Sequence, residues 1–175
     1  MTNWDDIIAL HGPAVWRTAY RLLGNADDAE ECLQDVFLSA WEFSRRDRIR
    51  HWPAFLKQLA TRRALDRLRQ RARHTELVGH PDRWTVPPSD CNEPLAAAQA
   101  GELGERLRIA LTELPPQQAQ AFCLCCIEGV KYRQAASVMD VKTNAIKVLV
   151  HRARTRLREL LVTVVVDQDT NGASS

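Results

Sequence analysis

Residues 142–158, "KTNAIKVLVHRARTRLR", carry six Lys and Arg and no acid. Asn144, Lys147, Val148, His151 and Thr155 recur at spacings of three and four, which puts them on one helical face. Ile146, Val150, Ala153 and Leu157 form an apolar stripe on the other side. Nucleic-acid readout needs this division. Amide, ammonium and imidazole groups at a helix start reach base edges, while Arg152 and Arg154 further along hold phosphates. Val148 offers a methyl contact to thymine. The plain alternative is a solvated face whose cations answer the helix dipole.

The preceding segment supports the nucleic-acid reading. "VKYRQAASVMD" is a short helix with small inward residues Ala135 and Ala136, followed by Asp140, a residue that tolerates the left-handed turn conformation. Thr143 is the expected cap of the second helix. Together these make a helix-turn-helix.

Two other stretches carry chemistry. Between Arg45 and Arg73 the only acids are Asp47 and Asp66, among many arginines. Trp52 and Phe55 open the helix of that block, and Arg62, Arg63, Asp66 and Arg69 follow on it. Aromatics beside arginines suit stacking on unpaired bases along a phosphate backbone. Asp66 pairing with Arg62 and Arg69 is the bland version, a self-neutralised surface. Arg63, Arg67 and Arg71 have no acid within the helix to answer them. Near the start, "NADDAEECLQDVF" is acidic, and Asp28, Glu31, Gln34, Asp35 and Leu38 mark a mixed acidic and apolar face suited to a basic protein partner.

These residues need helices to position them, and nearly every periodic segment is helical, with no alternating strand pattern. Hydrophobic residues are 45% of the 175, enough for a core, and the net charge is only +2. The expected fold is all-α: two small helical domains joined by a flexible linker, the second holding the helix-turn-helix. Residues 1–73 form the first domain, with helices at 4–23, from Asn25 as cap through Trp41, and from Pro53 to Arg73. The second of these is expected to bury Ala29, Leu33, Val36, Phe37, Ala40 and Trp41. Residues 74–94, rich in Pro, Asp and small polar residues, form the linker. Residues 95–164 form the second domain, with helices at 95–114, 116–128, 132–139 and 143–164, and 165–175 read as a disordered tail.

No apolar run approaches the roughly 20 residues needed to cross a bilayer, and the N-terminus lacks the pattern of a secretory signal, so the expected location is the cytoplasm. Cys123, Cys125 and Cys126 lack the second ligand pair of a metal site and read as small buried side chains; no metal or cofactor is expected. With 7 glycines, no phosphate-cradling loop and no nucleophile elbow, the chain does not read as an enzyme.

With these residues in view, the chain resembles a bacterial RNA polymerase sigma factor of the extracytoplasmic-function (group IV) type. "YRLLGNADDAEECLQDVFLSAW" is similar to the family's polymerase-binding helices, and "WPAFLKQLATRRALDRLRQRAR" to its promoter-melting and minus-ten segment. "LTELPPQQAQAFCLCCIEGVKYRQAASVMDVKTNAIKVLVHRARTRLREL" is similar to its region four. The resemblance implies binding of the polymerase core through Asp28, Glu31, Gln34, Asp35 and Leu38. It implies minus-ten reading through Trp52, Phe55, Arg62, Arg63, Asp66 and Arg69, and minus-thirty-five reading through Thr143, Asn144, Lys147, Val148, His151, Arg152 and Arg154. It also implies control by an anti-sigma factor. The chain departs from the family pattern at Val148 and Leu149, where a serine and an arginine are usual, at Asp140 for a turn glycine, and at Arg62 for an asparagine. A stand-alone helix-turn-helix regulator is the alternative, and it leaves the acidic helix without use. A protein-interaction adaptor whose basic helices bind an acidic partner is a third reading.

Overall fold

The structure, a computed structural model, describes residues 3–78 and 94–170, which form helices and connecting turns with no strand among them. Three helices make the first unit: α1 (Trp4–Leu23), α2 (Ala26–Ser44) and α3 (Trp52–Val78). Local chemistry sets their ends. The Asn3 side-chain oxygen accepts from the Asp5 N–H at 3.2 Å, and that of Asn25 from the Asp28 N–H at 3.1 Å, each satisfying a donor that a helix start leaves open. Gly24 closes α1 at φ 67°, with its N–H donating to the Tyr20 carbonyl.

The first unit packs Val15, Ala19, Leu22 and Leu23 of α1 against Val36, Phe37 and Ala40 of α2 and Leu56, Ala60, Ala64 and Leu68 of α3. Burying a leucine fully contributes about 2 kcal/mol. Leu56, Ala60, Ala64 and Leu68 recur at spacings of four and make the inner stripe of α3. On α2 the pattern differs at three positions. Cys32 is fully buried, whereas Trp41, expected in the core, is 44% exposed, and Leu33 is only half-buried. Trp41 instead lines an open groove with Trp4, Ile8 and Leu38.

The second unit comprises α4 (Pro94–Thr112), α5 (Pro116–Phe122), a single π-helical turn (Cys123–Ile127), α6 (Tyr132–Val138) and α7 (Thr143–Thr170). The single helix expected over 116–128 is thus split, and the wider turn lets the Glu128 N–H donate to the Cys123 carbonyl at 2.9 Å. Lys142 takes the cap position expected for Thr143, because its carbonyl receives the Ile146 N–H. α7 continues through Thr170, past the expected end at 164, since "VVVDQD" holds no glycine or proline. Likewise α3 runs through the first residues of the expected linker; 79–93 and 171–175, the rest of the linker and the last of the tail, lie outside the described residues.

The turn between α6 and α7 depends on Asp140, at φ 53°. A side chain costs about 1–2 kcal/mol in that conformation, less for Asp. Asp140→Gly is expected to raise the thermal midpoint by a few degrees and Asp140→Val to lower it by more, as read by circular dichroism. Equal midpoints for the two variants would show that this backbone position carries no strain.

The two units share a core. Ala110, Leu111 and Leu114 of α4 and its following turn join the α1–α3 cluster, together with Ala119, Cys123, Ala153 and Leu157. Ala54 of α3 in turn lies among Leu124, Val130, Ala135, Ile146 and Val150 of the second unit. α3 packs against α4, α5 and α6 as well as α1 and α2, so it is the common strut.

Candidate nucleic-acid and protein interfaces

The helix-turn-helix is built as its pattern requires. Ala135 and Ala136 are buried, which lets α7 cross α6 closely, and the Val141 N–H donates to the Ala136 carbonyl at 3.0 Å. Ile146, Val150, Ala153 and Leu157 are all under a twentieth exposed. Thr143, Asn144, Lys147, Val148, His151 and Arg152 are all exposed on the outer side. Two of the remaining side chains are engaged. The Thr155 hydroxyl donates to the His151 carbonyl at 3.1 Å, and Arg154 Nη2 donates to Cys126 Sγ at 3.3 Å. Arg154 is therefore held over the π-helical turn, while Lys147, His151 and Arg152 stand free to meet a ligand.

On α3, Arg62, Arg63 and Asp66 are exposed, with Arg63 donating to Ser39 Oγ at 2.9 Å and Arg69 pairing with Asp66 at 3.5 Å. The two aromatics are half-buried in ring pairs. Trp52 meets Trp4 edge-on at 5.5 Å, and Phe55 lies tilted on Phe43 at 4.9 Å. Each is held rigid by a neighbour, which limits the cost of ordering it against a ligand. Sequence reasoning missed the loop before α3. Arg46, Arg48 and Arg50 are exposed there beside Trp52, and the only signal was their aperiodic clustering.

The acidic face of α2 is the largest difference from expectation. Arg67 of α3 donates to Glu31 at 2.8 Å and to Asp35 at 2.9 Å, and lies 3.9 Å from Asp28. Arg71 pairs with Asp28 as well. The arginines that lacked an acid in their own helix are answered by α2. Burial works against the Arg67 charge, but its bonds to Glu31 and Asp35 prevail and raise its pKa above the usual value. Asp28, Glu31 and Asp35 thus clasp α2 to α3. Gln34 and Leu38 stay exposed, Leu38 by 63%. They line an open groove of about 530 Å³ with Trp4, Ile8, Phe37 and Trp41. The outer edge of this apolar groove is Trp41, over whose ring Arg45 sits at 5.1 Å.

Among the described residues, the thiols of Cys32 and Cys123 are buried and those of Cys125 and Cys126 half-buried. Burial pushes Cys125 up to about 11, with the neighbouring Cys126 adding to the rise, and burial pushes the fully enclosed Cys123 up as well. At pH 7.5 fewer than about one in a thousand Cys125 side chains is thiolate. Iodoacetamide labelling of Cys125, followed by peptide mass spectrometry, is expected to be slow at pH 7.5 and to speed up roughly tenfold per pH unit toward pH 10. A rate already level by pH 8 would refute this. Among the described residues no three metal-ligating side chains cluster, and no helix is long and apolar enough to cross a membrane.

Two family profiles match the chain, Sigma-70 region 2 over residues 7–74 and Sigma-70, region 4 over residues 104–157. The ECF RNA polymerase sigma factor SigE of Mycolicibacterium smegmatis is 31% identical over 161 residues, 92% of this chain and 62% of SigE, so the chain spans under two thirds of that relative. The ECF RNA polymerase sigma factor EcfG of Rhodopseudomonas palustris is 30% identical over 161 residues, covering 90% of this chain and 83% of EcfG. Among solved structures, the sigma factor RpoE of Bartonella quintana, in complex with the anti-sigma factor NepR, superposes with a TM-score of 0.57 at 25% identity, over 90% of this chain and 95% of that one. CnrH, solved with the cytosolic domain of CnrY, shares the fold at a TM-score of 0.57 and 23% identity, over 91% of this chain and 88% of that one.

Proposed function

Because the chain belongs to the extracytoplasmic-function (ECF) sigma factors of RNA polymerase, we propose that it binds the polymerase core and directs it to promoters by reading a minus-ten and a minus-thirty-five element. Residues 95–164 serve the upstream element. Asn144, Lys147 and His151 enter the major groove and Arg152 holds the backbone, with Thr143 and Arg154 at the margins. Val148 meets a thymine methyl, in place of a hydroxyl contact. Residues 1–73 serve the downstream element. Trp52 and Phe55 receive unstacked bases of the opened strand, at a cost of a few kcal/mol per base that stacking offsets. Arg62, Arg63, Asp66 and Arg69 line the path beside them.

Polymerase meets the groove between α1 and α2 through Gln34, Leu38 and Trp41. Asp28, Glu31 and Asp35 act there mainly by holding α2 in place, since Arg67 and Arg71 occupy them. The single observation that carries this reading is the conjunction of a polar, exposed face on α7 with an apolar buried stripe on the same helix, in a chain with both family regions in order. The relatives RpoE and CnrH were solved with inhibitory or cytosolic partner proteins, which supports an anti-sigma factor as the regulatory partner here. The chain works in the cytoplasm, where polymerase and DNA are, and performs no bond chemistry of its own.

The test is run-off transcription with core polymerase on a promoter library. Transcripts that depend on this chain and share two upstream elements are expected. No affinity for core and no initiation on any template would overturn the proposal.

A further inference from the structure

Three groups from two elements meet at the π-helical turn. They are the vicinal thiols of Cys125 and Cys126, both half-buried, and the exposed guanidinium of Arg154 from α7. Arg154 Nη2 donates to Cys126 Sγ at 3.3 Å. Among the described residues no carboxylate lies within ion-pair distance of Arg154; it is the nearby Arg156 that reaches Glu159, at 3.0 Å. A guanidinium this close stabilises negative charge on sulfur, and the charged sulfur is the nucleophile of thiol chemistry. The contact acts in both directions, since the bond to Cys126 raises the Arg154 pKa. The other described cysteines are placed differently. Burial pushes Cys32 and Cys125 up to about 11 and pushes the enclosed Cys123 up as well. Arg154 stands three residues beyond His151 on α7, at the edge of the reading face. A change at the Cys126 sulfur is therefore felt by a side chain within reach of DNA.

We propose that Cys126 is a modification site for small disulfides, activated by Arg154, and that an anionic adduct there draws Arg154 away from promoter phosphates. The step is an exchange. The Cys126 sulfur attacks one sulfur of the disulfide. The reagent's S–S bond breaks, a new S–S bond joins Cys126 to one half, and the other half leaves as a thiolate that takes up the proton Cys126 gave up. The Cys126 sulfur is oxidised and the departing sulfur reduced, and an added dithiol reverses the exchange. Successive residues of a helical turn point their side chains in different directions, so closing Cys125 onto Cys126 breaks the turn and the mixed disulfide persists. Charge decides the consequence for DNA. In the unmodified chain Arg154 leaves a weak sulfur acceptor for a phosphate, a much stronger one. A carboxylate on the adduct competes for the same guanidinium at the same place. A cationic adduct repels Arg154 and adds a charge that DNA attracts. This consequence rests on the function proposed above; the modification itself does not.

The experiment has two stages. In the first, the purified full chain meets dithionitrobenzoate, an aromatic disulfide whose leaving half is coloured. One thiol is expected to react in a fast phase that Cys126→Ser removes; Cys91 is common to both proteins and drops out of the difference. Arg154→Gln is expected to slow that phase roughly three- to tenfold, with helical content unchanged by circular dichroism. In the second stage the chain is loaded with dithiodipropionate or with cystamine, whose adducts match in size and differ in the sign of their charge. The reagent is removed before core polymerase is added. For the anionic adduct, affinity of the holoenzyme for duplex carrying the upstream element is expected to fall roughly fivefold, with the salt dependence about one unit flatter. The cationic adduct should stay within about twofold of the unmodified chain, and dithiothreitol should restore the anionic one. Cys126→Ser should bind as the unmodified chain does and ignore both reagents. If serine costs helical content, Cys126→Ala is read by the same criteria. A fast phase that survives Cys126→Ser, a rate indifferent to Arg154→Gln, or equal losses from the two adducts overturns the proposal. Selective labelling of Cys126 in a chain that never binds core polymerase leaves the site standing and removes the sigma-factor function instead.

Discussion

Lys147→Glu combined with Arg152→Glu is expected to lower affinity for duplex carrying the upstream element by about a hundredfold or more, with affinity for core polymerase unchanged. Both side chains are exposed on the reading face of α7, and neither makes an ion pair among the described residues, so their reversal leaves the fold intact. Removing a side chain that bonds a base edge costs about 1–3 kcal/mol, and removing one that holds a phosphate also flattens the salt dependence by about one unit. Reversal adds repulsion to both effects. Fluorescence anisotropy of holoenzyme on labelled duplex across a salt series measures the affinity and the slope together. Unchanged affinity would remove α7 from promoter reading and favour a protein-interaction adaptor, whose basic helices would bind elsewhere.

The second large effect is expected at the groove. Leu38→Asp with Trp41→Ala should weaken core binding by two orders of magnitude or more while the isolated chain keeps its melting temperature within a few degrees. Leu38 and Trp41 are exposed, so the fold loses little. Tryptophan in a partly preformed apolar pocket is the typical anchor of a protein interface, worth about 2 kcal/mol or more on truncation, and a carboxylate at Leu38 must be desolvated without a partner. The control is Glu31→Gln. It faces Arg67, and it should cost some α2–α3 stability but little core affinity. If Glu31→Gln instead abolished binding and the groove variant did not, the acids and not the groove would be the docking chemistry.

The contrast between those two variants shows where sequence reading succeeded and where it did not. Helical period alone located Ile146, Val150, Ala153 and Leu157 in the core and their neighbours outside, because 3.6-residue spacing maps directly onto a face. Asn25 as a cap and Asp140 as the turn residue were legible because each rule concerns one residue and its own backbone. What lay beyond reach involved two elements at once. Acids at 28, 31 and 35 and arginines at 63, 67 and 71 each form a stripe, but nothing within either helix says that the stripes face each other. The π-helical turn has no breaker or cap to announce it in "FCLCCIE". Trp41 continues an apolar stripe and so reads as core, whereas it is 44% exposed and lines the groove with Trp4, Ile8 and Leu38. Glu128 is buried only through the packing of α1 and α3 over it, which no pattern within its own helix announces.

The pairing of Arg67 and Arg71 with the α2 acids also bears on how fast this protein finds its enzyme. A surface whose charges are answered from within exerts little pull at a distance. The proposed encounter with polymerase would then proceed at the pace of neutral surfaces, near 10⁵–10⁶ M⁻¹s⁻¹ as an order of magnitude, and change little with the ionic content of the cell. On the proposed function, competition among several such factors for a limited pool of enzyme would be decided by how long each stays bound at the tryptophan-edged groove.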